Sequence, residues 1–215
     1  AGLTLVNGTE GGVLCENVDS VTIMNCIIRS NACDGIWLTA SSVDVENCEI
    51  RDNAYDETYD FHGIYCIPNI LSVESNLNIA NCAIADNDGS GISCQGSSLG
   101  LKNSVIEGNA DYGIYEANPA GASVIGNSII RDNGDDGIYF YADGQSSGPE
   151  IANNWIYDNG GSGVRANYIY YAPVPLAAIV NNTIVNNDEY GVESNWATDV
   201  VITNCIIWGN ASGSL

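Results

Sequence analysis

The 215 residues carry 27 Asp and Glu against five Lys and Arg, a formal net charge of −22, with 24 Gly and eight Cys. Such a charge excludes nucleic acid and anionic membrane as direct partners, since both are held by clustered cations, and it disfavours polygalacturonate or alginate unless cations bridge. No stretch reads as a membrane span, and an unbroken repeat without a linker argues for one elongated domain over residues 1–215.

Residues 1–12 read as a shortened opening copy in which Leu5 precedes Asn7 as Ile23 precedes Asn25. From Val21 the repeat is complete: an aliphatic residue, a spacer, Asn, a small residue, a spacer, Ile, two spacers and a second Asn, then a turn and Gly-Ile or Gly-Val. The first Asn recurs at Asn25, Asn47, Asn81, Asn103, Asn127, Asn153, Asn181 and Asn204, and the second at Asn31, Asn53, Asn87, Asn109, Asn133, Asn159, Asn187 and Asn210. Between them stands Ile in every copy, from Ile28 to Ile207, and the closing Gly runs from Gly35 to Gly191. Four insertions widen the copies: AYDETYDFH before Gly63, then IPNILSVESN, YADGQSSGPE and NYIYYAPVPLA. Loops of this kind are where function concentrates.

A repeat this short, with alternating apolar segments and no helical stripe, suits one coil of a β-solenoid. Each aliphatic column stacks on its counterpart at roughly 4.8 Å and builds a core that no single coil can bury. Asn tolerates left-handed backbone angles and bonds along a stack of amides, so both Asn columns are placed at corners. Gly is assigned a corner that needs positive φ. Crossovers between parallel strands are right-handed by default.

These repeats, and the phrase NCIIWGN at Asn204–Asn210 in particular, resemble those of the right-handed parallel β-helix superfamily with the pectate-lyase-like fold, among them secreted or surface-attached bacterial and archaeal proteins. The resemblance covers almost the whole chain. It implies an all-β fold, a single-stranded right-handed parallel β-helix of about eight coils, in a secreted or cell-surface protein whose leader was removed before Ala1. It does not choose among the superfamily's lyases, hydrolases, epimerases, adhesins and structural proteins.

Cys26, Cys48, Cys82 and Cys205 follow the first Asn, where other copies carry Ser or Asn, and Cys15, Cys66 and Cys94 share a second position with Leu38 and Phe140. Slots shared with Leu and Phe are interior, so the thiols read as buried and free, with Cys33 in a turn as the exception. The corner between the second Asn and the Gly is acidic. Asp86, Asp88, Asp111, Asp132, Asp135 and Asp136 form stacked carboxylates that a hard cation such as Ca²⁺ would relieve, the alternative being a hydrated acidic edge. Two residues past the Gly, where the side chain should face outward, stand Trp37, Tyr65, Tyr115 and Tyr139, interrupted by Ser93. Such a strip can stack on sugar rings, or its members can pack on one another.

The resemblance implies, for a lyase, a basic residue near calcium-binding carboxylates. The hydrolase template departs from this chain, because Phe61-His62-Gly63 lacks the first Gly of Gly-His-Gly. A catalytic set would fall in the first insertion, where Asp56, Glu57, Asp60 and His62 could supply acid and base within reach of Arg51. Two functions follow: a self-assembling extracellular structural protein whose end coils dock head-to-tail on other copies, or a carbohydrate-binding or polysaccharide-active protein.

Overall fold

The structure is a computed structural model that describes residues 2–53, 61–142, 148–168, 177–195 and 200–215. The described residues form three parallel sheets of nine, eight and eight strands, each coil contributing one strand to each sheet. The first sheet runs from Thr4–Val6 to Ile206–Trp208, the second from Val13–Glu16 to Val192–Asn195, and the third from Val21–Met24 to Val200–Thr203. Register follows the repeat, so Ile28, Ile50, Ile84, Ile106, Ile130, Ile156, Ile184 and Ile207 pair in sequence along the first sheet. Leu5 pairs with Ile28. The opening copy is therefore shifted from the sequence reading, which aligned Leu5 with Ile23; Leu5 and Ile23 carry the same apolar signature, and hydrophobicity alone does not tell the two columns apart.

The two Asn columns divide the work. The first column, Asn25 to Asn204, adopts left-handed φ between 51° and 59° at the corner joining the third sheet to the first. At the next corner the left-handed position is filled by the residue before the second Asn, including Asp52, Asp86, Asp132 and Asp158, short polar side chains that tolerate this region. That leaves the second column free to point inward as an amide ladder. Asn109 Oδ1 accepts from the Asn87 amide and backbone N–H at 2.9 and 3.2 Å, while its own Nδ2 donates to Asn133 Oδ1 at 2.9 Å and to the Ile84 carbonyl at 3.3 Å. Every polar position of a buried Asn is thus used, which is the condition for burying one at all.

The closing Gly column does not need positive φ; its members lie outside that region, and the reason for Gly is space. A Cβ on Gly91 would stand 2.8 Å from the Gly113 carbonyl oxygen, the Ile106 Cγ2 and the Asn109 Nδ2, all three in the following coil. Coils at their normal spacing close onto this position, and any side chain would push them apart.

Side chains after the first Asn form a second ladder. Cys26, Cys48, Cys82, Ser104 and Ser128 donate their backbone N–H groups to the next side chain in line, Cys48 Sγ, Cys82 Sγ, Ser104 Oγ, Ser128 Oγ and Asn154 Oδ1, at 3.4, 3.4, 3.1, 3.2 and 3.0 Å. These thiols are acceptors as well as fillers, which explains why the slot alternates with Ser and Asn rather than with aliphatics. All eight cysteines are free thiols, five of them buried, with Cys26, Cys33 and Cys205 partly exposed. At the third corner the buried Ser41, Ser75 and Ser97 make a further ladder, the Ser41 and Ser75 N–H groups donating to the next hydroxyl at 3.1 and 3.2 Å.

Candidate functional site

The corner leading into the second sheet is built by the residue before each closing Gly. Asp34 Oδ1 accepts from the His62 N–H at 2.7 Å, and His62 Nδ1 from the Ser90 N–H at 3.2 Å. Asp136 Oδ1 accepts from the Ser162 N–H at 2.6 Å, and Ser162 Oγ from the Tyr190 N–H at 3.3 Å. His62 is buried by this arrangement and packs on Tyr65, ring centroids 5.2 Å apart. A neutral imidazole that accepts at Nδ1 carries its proton on Nε2.

Past the Gly the outward column runs Leu14, Trp37, Tyr65, Ser93, Tyr115, Tyr139, Arg165 and Glu193 in continuous register. Trp37 is 38% exposed and tilts against Tyr65 at 6.2 Å. Tyr115 and Tyr139 stack at 5.4 Å with their rings nearly parallel, and Tyr112 from the adjoining corner packs against both at 5.6 and 5.1 Å. The four aromatic residues singled out in the sequence thus lie on one face, and they also pack on one another.

The row has two concavities. At one end a groove of about 600 Å³ opens beside Trp37, roofed by Pro68, Ile70 and Leu71 and edged by Glu16, Asn17 and Asn69. In the middle, where Ser93 replaces a ring, a smaller notch of about 190 Å³ is walled by His62, Ser90, Gln95, Asp111, Tyr112 and Tyr115.

Beyond Tyr139 the face becomes ionic. Arg165 meets Asp136 at 3.2 Å, Glu193 at 2.9 Å, and Glu189. Asp136 is 0% exposed, and burial drives its carboxyl up to about 7 against the opposing pull of the Ser162 N–H and Arg165; among the described residues its Oδ2 has no hydrogen-bond partner. Asp111 and Asp135 sit one coil apart on the same corner, joined by the Asp135 N–H to Asp111 carbonyl bond at 3.2 Å. Asp86 and Asp132 stand instead at the left-handed corner position, Asp132 paired with Arg131 at 2.9 Å, and Asp88 is exposed. Among the described residues no three His, Cys, Asp or Glu side chains converge as ligands for a metal ion.

Of the proposed catalytic set, Asp56, Glu57 and Asp60 lie outside the described residues. Arg51 faces out from the first sheet, paired with Glu49 and Asp52, whereas His62 belongs to the corner of the second sheet.

The right handed beta helix region family matches residues 3–70, 69–168 and 123–215, which together span nearly the whole chain. The chain belongs to this right-handed β-helix family. No curated protein sequence matches it. Among solved structures it is similar to the A-module of the Azotobacter vinelandii mannuronan C-5 epimerase AlgE6, at 14% identity and a TM-score of 0.57 over 88% of this chain and 58% of that one. The AlgE4 A-module from the same organism gives 15% identity and a TM-score of 0.55 over 99% of this chain and 78% of that one. The Dettilon tailspike protein gives 16% and 0.55 over 88% and 44%. The β-helix described here thus spans less than two thirds of the AlgE6 module and of the tailspike. At these identities the likeness is one of fold.

Two features of this β-helix were not picked out from its sequence. Arg165 and its carboxylate cluster continue the aromatic column, and the count of two past the closing Gly locates Arg165 as it locates Tyr139. Glu116, three past Gly113, occupies the interior column between Cys94 and Phe140. It is 0% exposed; burial pushes its carboxyl up to about 7, only partly opposed by the Ser123 hydroxyl, and among the described residues neither oxygen has a partner in good hydrogen-bond geometry.

Proposed function

We propose that this β-helix binds a neutral polysaccharide laid along the outer face of its second sheet. The observation that carries the reading is the aromatic column itself: Trp37, Tyr65, Tyr115 and Tyr139 share one face at coil spacing, Trp37 exposed and the tyrosines partly exposed for contact with pyranose faces, with acidic and amide side chains beside them to accept and donate hydroxyl hydrogen bonds. Charge supports a neutral ligand. The chain has five basic residues; Arg29, Arg51 and Arg131 are on the first sheet and Lys102 on the third, and Arg165 is already engaged by three carboxylates. Two of the similar structures are named as mannuronan epimerases, so the fold accommodates polysaccharide chemistry elsewhere. Head-to-tail assembly depends on which residues lie at the ends of the intact polypeptide, whereas the lateral face does not.

The test is retention on immobilised or soluble glycans, with pectate, alginate, an unsubstituted glucan and N-acetylated amino-sugar polymers compared with and without calcium. Retention on a neutral glycan is expected, reduced roughly tenfold for each of Trp37→Ala and Tyr139→Ala, the scale of one lost aromatic contact. Absence of retention on every neutral glycan, or retention indifferent to the double variant, would overturn the proposal.

A further inference from the structure

From the notch at Ser93 we infer that the bound polysaccharide carries an acetamido substituent, and that this notch is the subsite that reads it. The inference rests on the glycan-binding reading of the face and adds the chemical class of the sugar.

The column is interrupted once between its first and last rings. A Tyr at residue 93 would fit the register, since Ser93 pairs with Tyr65 on one side and Tyr115 on the other. The serine instead leaves a cavity of about 190 Å³ whose floor is polar. Although Ser93 is in the outward column it is 1% exposed, Ser90 is equally buried, and both line the notch. A pocket this small, sunk into a row of rings, takes a side group of a chain lying across it rather than a sugar ring of its own.

The walls define the group. Asp111 supplies a carboxylate acceptor, with the Ser90 hydroxyl 3.5 Å from its Oδ2. The Gln95 amide donates one N–H to Ser93 Oγ at 3.4 Å and has a second N–H to offer. Tyr112 and Tyr115, packed at 5.6 Å, supply an apolar ring surface. The Asp111 carboxylate as acceptor, the Gln95 amide and the His62 ring N–H as donors beside the Ser90 and Ser93 hydroxyls, and one apolar patch in a small volume match the three parts of an acetamido group: its N–H, its carbonyl oxygen and its methyl. A carboxylate or sulfate fits badly, because among the described residues no Lys or Arg lines the notch and Asp111 would face it. A bare hydroxyl would leave the apolar patch and part of the donor set unfilled. The same arrangement therefore selects against uronic acids and against unsubstituted hexoses.

The experiment is isothermal titration of the full chain with N-acetylglucosamine oligomers, the chemically deacetylated oligomers after N-formylation to keep them uncharged, unsubstituted glucose oligomers, and mannuronate oligomers. Acetylated oligomers are expected to bind at least about tenfold more tightly than unsubstituted ones, the scale of one hydrogen bond to a charged group. The formylated oligomers should fall between, having the N–H and carbonyl without the methyl. Ser93→Tyr, which fills the notch with a ring already tolerated elsewhere in the column, should erase the preference while affinity for unsubstituted oligomers holds or rises with the added ring, and Asp111→Asn, which replaces the anionic acceptor with a neutral one, should reduce the preference several-fold. Equal affinity for acetylated and unsubstituted oligomers, both lost in Trp37→Ala/Tyr139→Ala, would refute the notch and leave the binding face standing. Tightest binding of mannuronate would refute both. A preference for acetylated oligomers that survives in both Ser93→Tyr and Asp111→Asn would place the recognition elsewhere and overturn the inference.

Discussion

Glu116 offers a direct measure of what the interior tolerates. Its carboxyl stands in a column whose nearest members are Cys66, Cys94, Phe140 and Ala166, and its titration is moved by burial from 4.5 to about 7. In the unfolded chain the group ionises near its ordinary value, so the native state holds the extra proton between those two limits. Stability therefore falls as pH rises through that window, and the loss is complete above about 7. At about 1.4 kcal/mol per pH unit the total is roughly 3 kcal/mol, of which roughly 2.5 kcal/mol falls between pH 5 and pH 8. Glu116→Gln keeps the shape and removes the titration. Urea unfolding of both proteins at pH 5 and pH 8 isolates the effect, because the self-repulsion of an acidic protein and the titration of every other group cancel in the difference. The variant should lose less stability than the parent across that interval, by roughly 2.5 kcal/mol. Parallel pH profiles in the two proteins would refute the idea that burial holds the Glu116 carboxyl protonated.

Asn109→Ala removes an acceptor used by two donors of Asn87 and a donor used by Ile84, and should lower the unfolding free energy by about 3 kcal/mol in denaturant titration, with unsatisfied buried groups as the cause. Arg165→Met leaves Asp136, Glu189 and Glu193 facing one another and should destabilise by about 3 kcal/mol at pH 8 but clearly less at pH 5, where Asp136 is protonated in both proteins; thermal melts at the two pH values check this. Alkylation of the native protein followed by peptide mapping should mark Cys26, Cys33 and Cys205 and spare Cys15, Cys48, Cys66, Cys82 and Cys94, since thiol reactivity requires access and burial raises Cys15, Cys48 and Cys82 above their ordinary value.

The parts of this molecule that repeat at near-constant offset were legible in advance. The Asn and Ile columns fall six and three residues apart in every copy, and the structure stacks them as that spacing requires. Where one signature serves two places, legibility failed: Leu5 matches Ile23 and Ile28 equally well, and Gly suits both positive φ and close approach. The serine ladder through Ser41, Ser75 and Ser97 stands six residues before Asn47, Asn81 and Asn103, so counting locates it, but the run is broken on both sides: the same count gives Asp19 before Asn25 and Gly121 before Asn127. Glu116 was locatable by counting from Gly113, but a carboxylate is not an expected core residue, and composition gave no reason to look there. At the site the rings were visible and the notch was visible only as a missing ring; its walls come from a neighbouring corner, whose side chains point toward the face because their own N–H bonds tie that corner down.

The amide ladder keeps its length while the coils do not. The Nδ2 to Oδ1 step is 2.9 Å from Asn31 to Asn53, separated by 22 residues, and 3.0 Å from Asn53 to Asn87, separated by 34. It is 2.9 Å again from Asn159 to Asn187, separated by 28. Twelve additional residues in a coil change the step by 0.1 Å. The axial rise is thus decoupled from the amount of chain spent on each circuit, and segments grafted between the ladder positions alter the outline of the rod without altering its pitch. A lineage built on such a backbone can exchange or lengthen its lateral ornaments one at a time, each trial leaving the neighbouring circuits as they were.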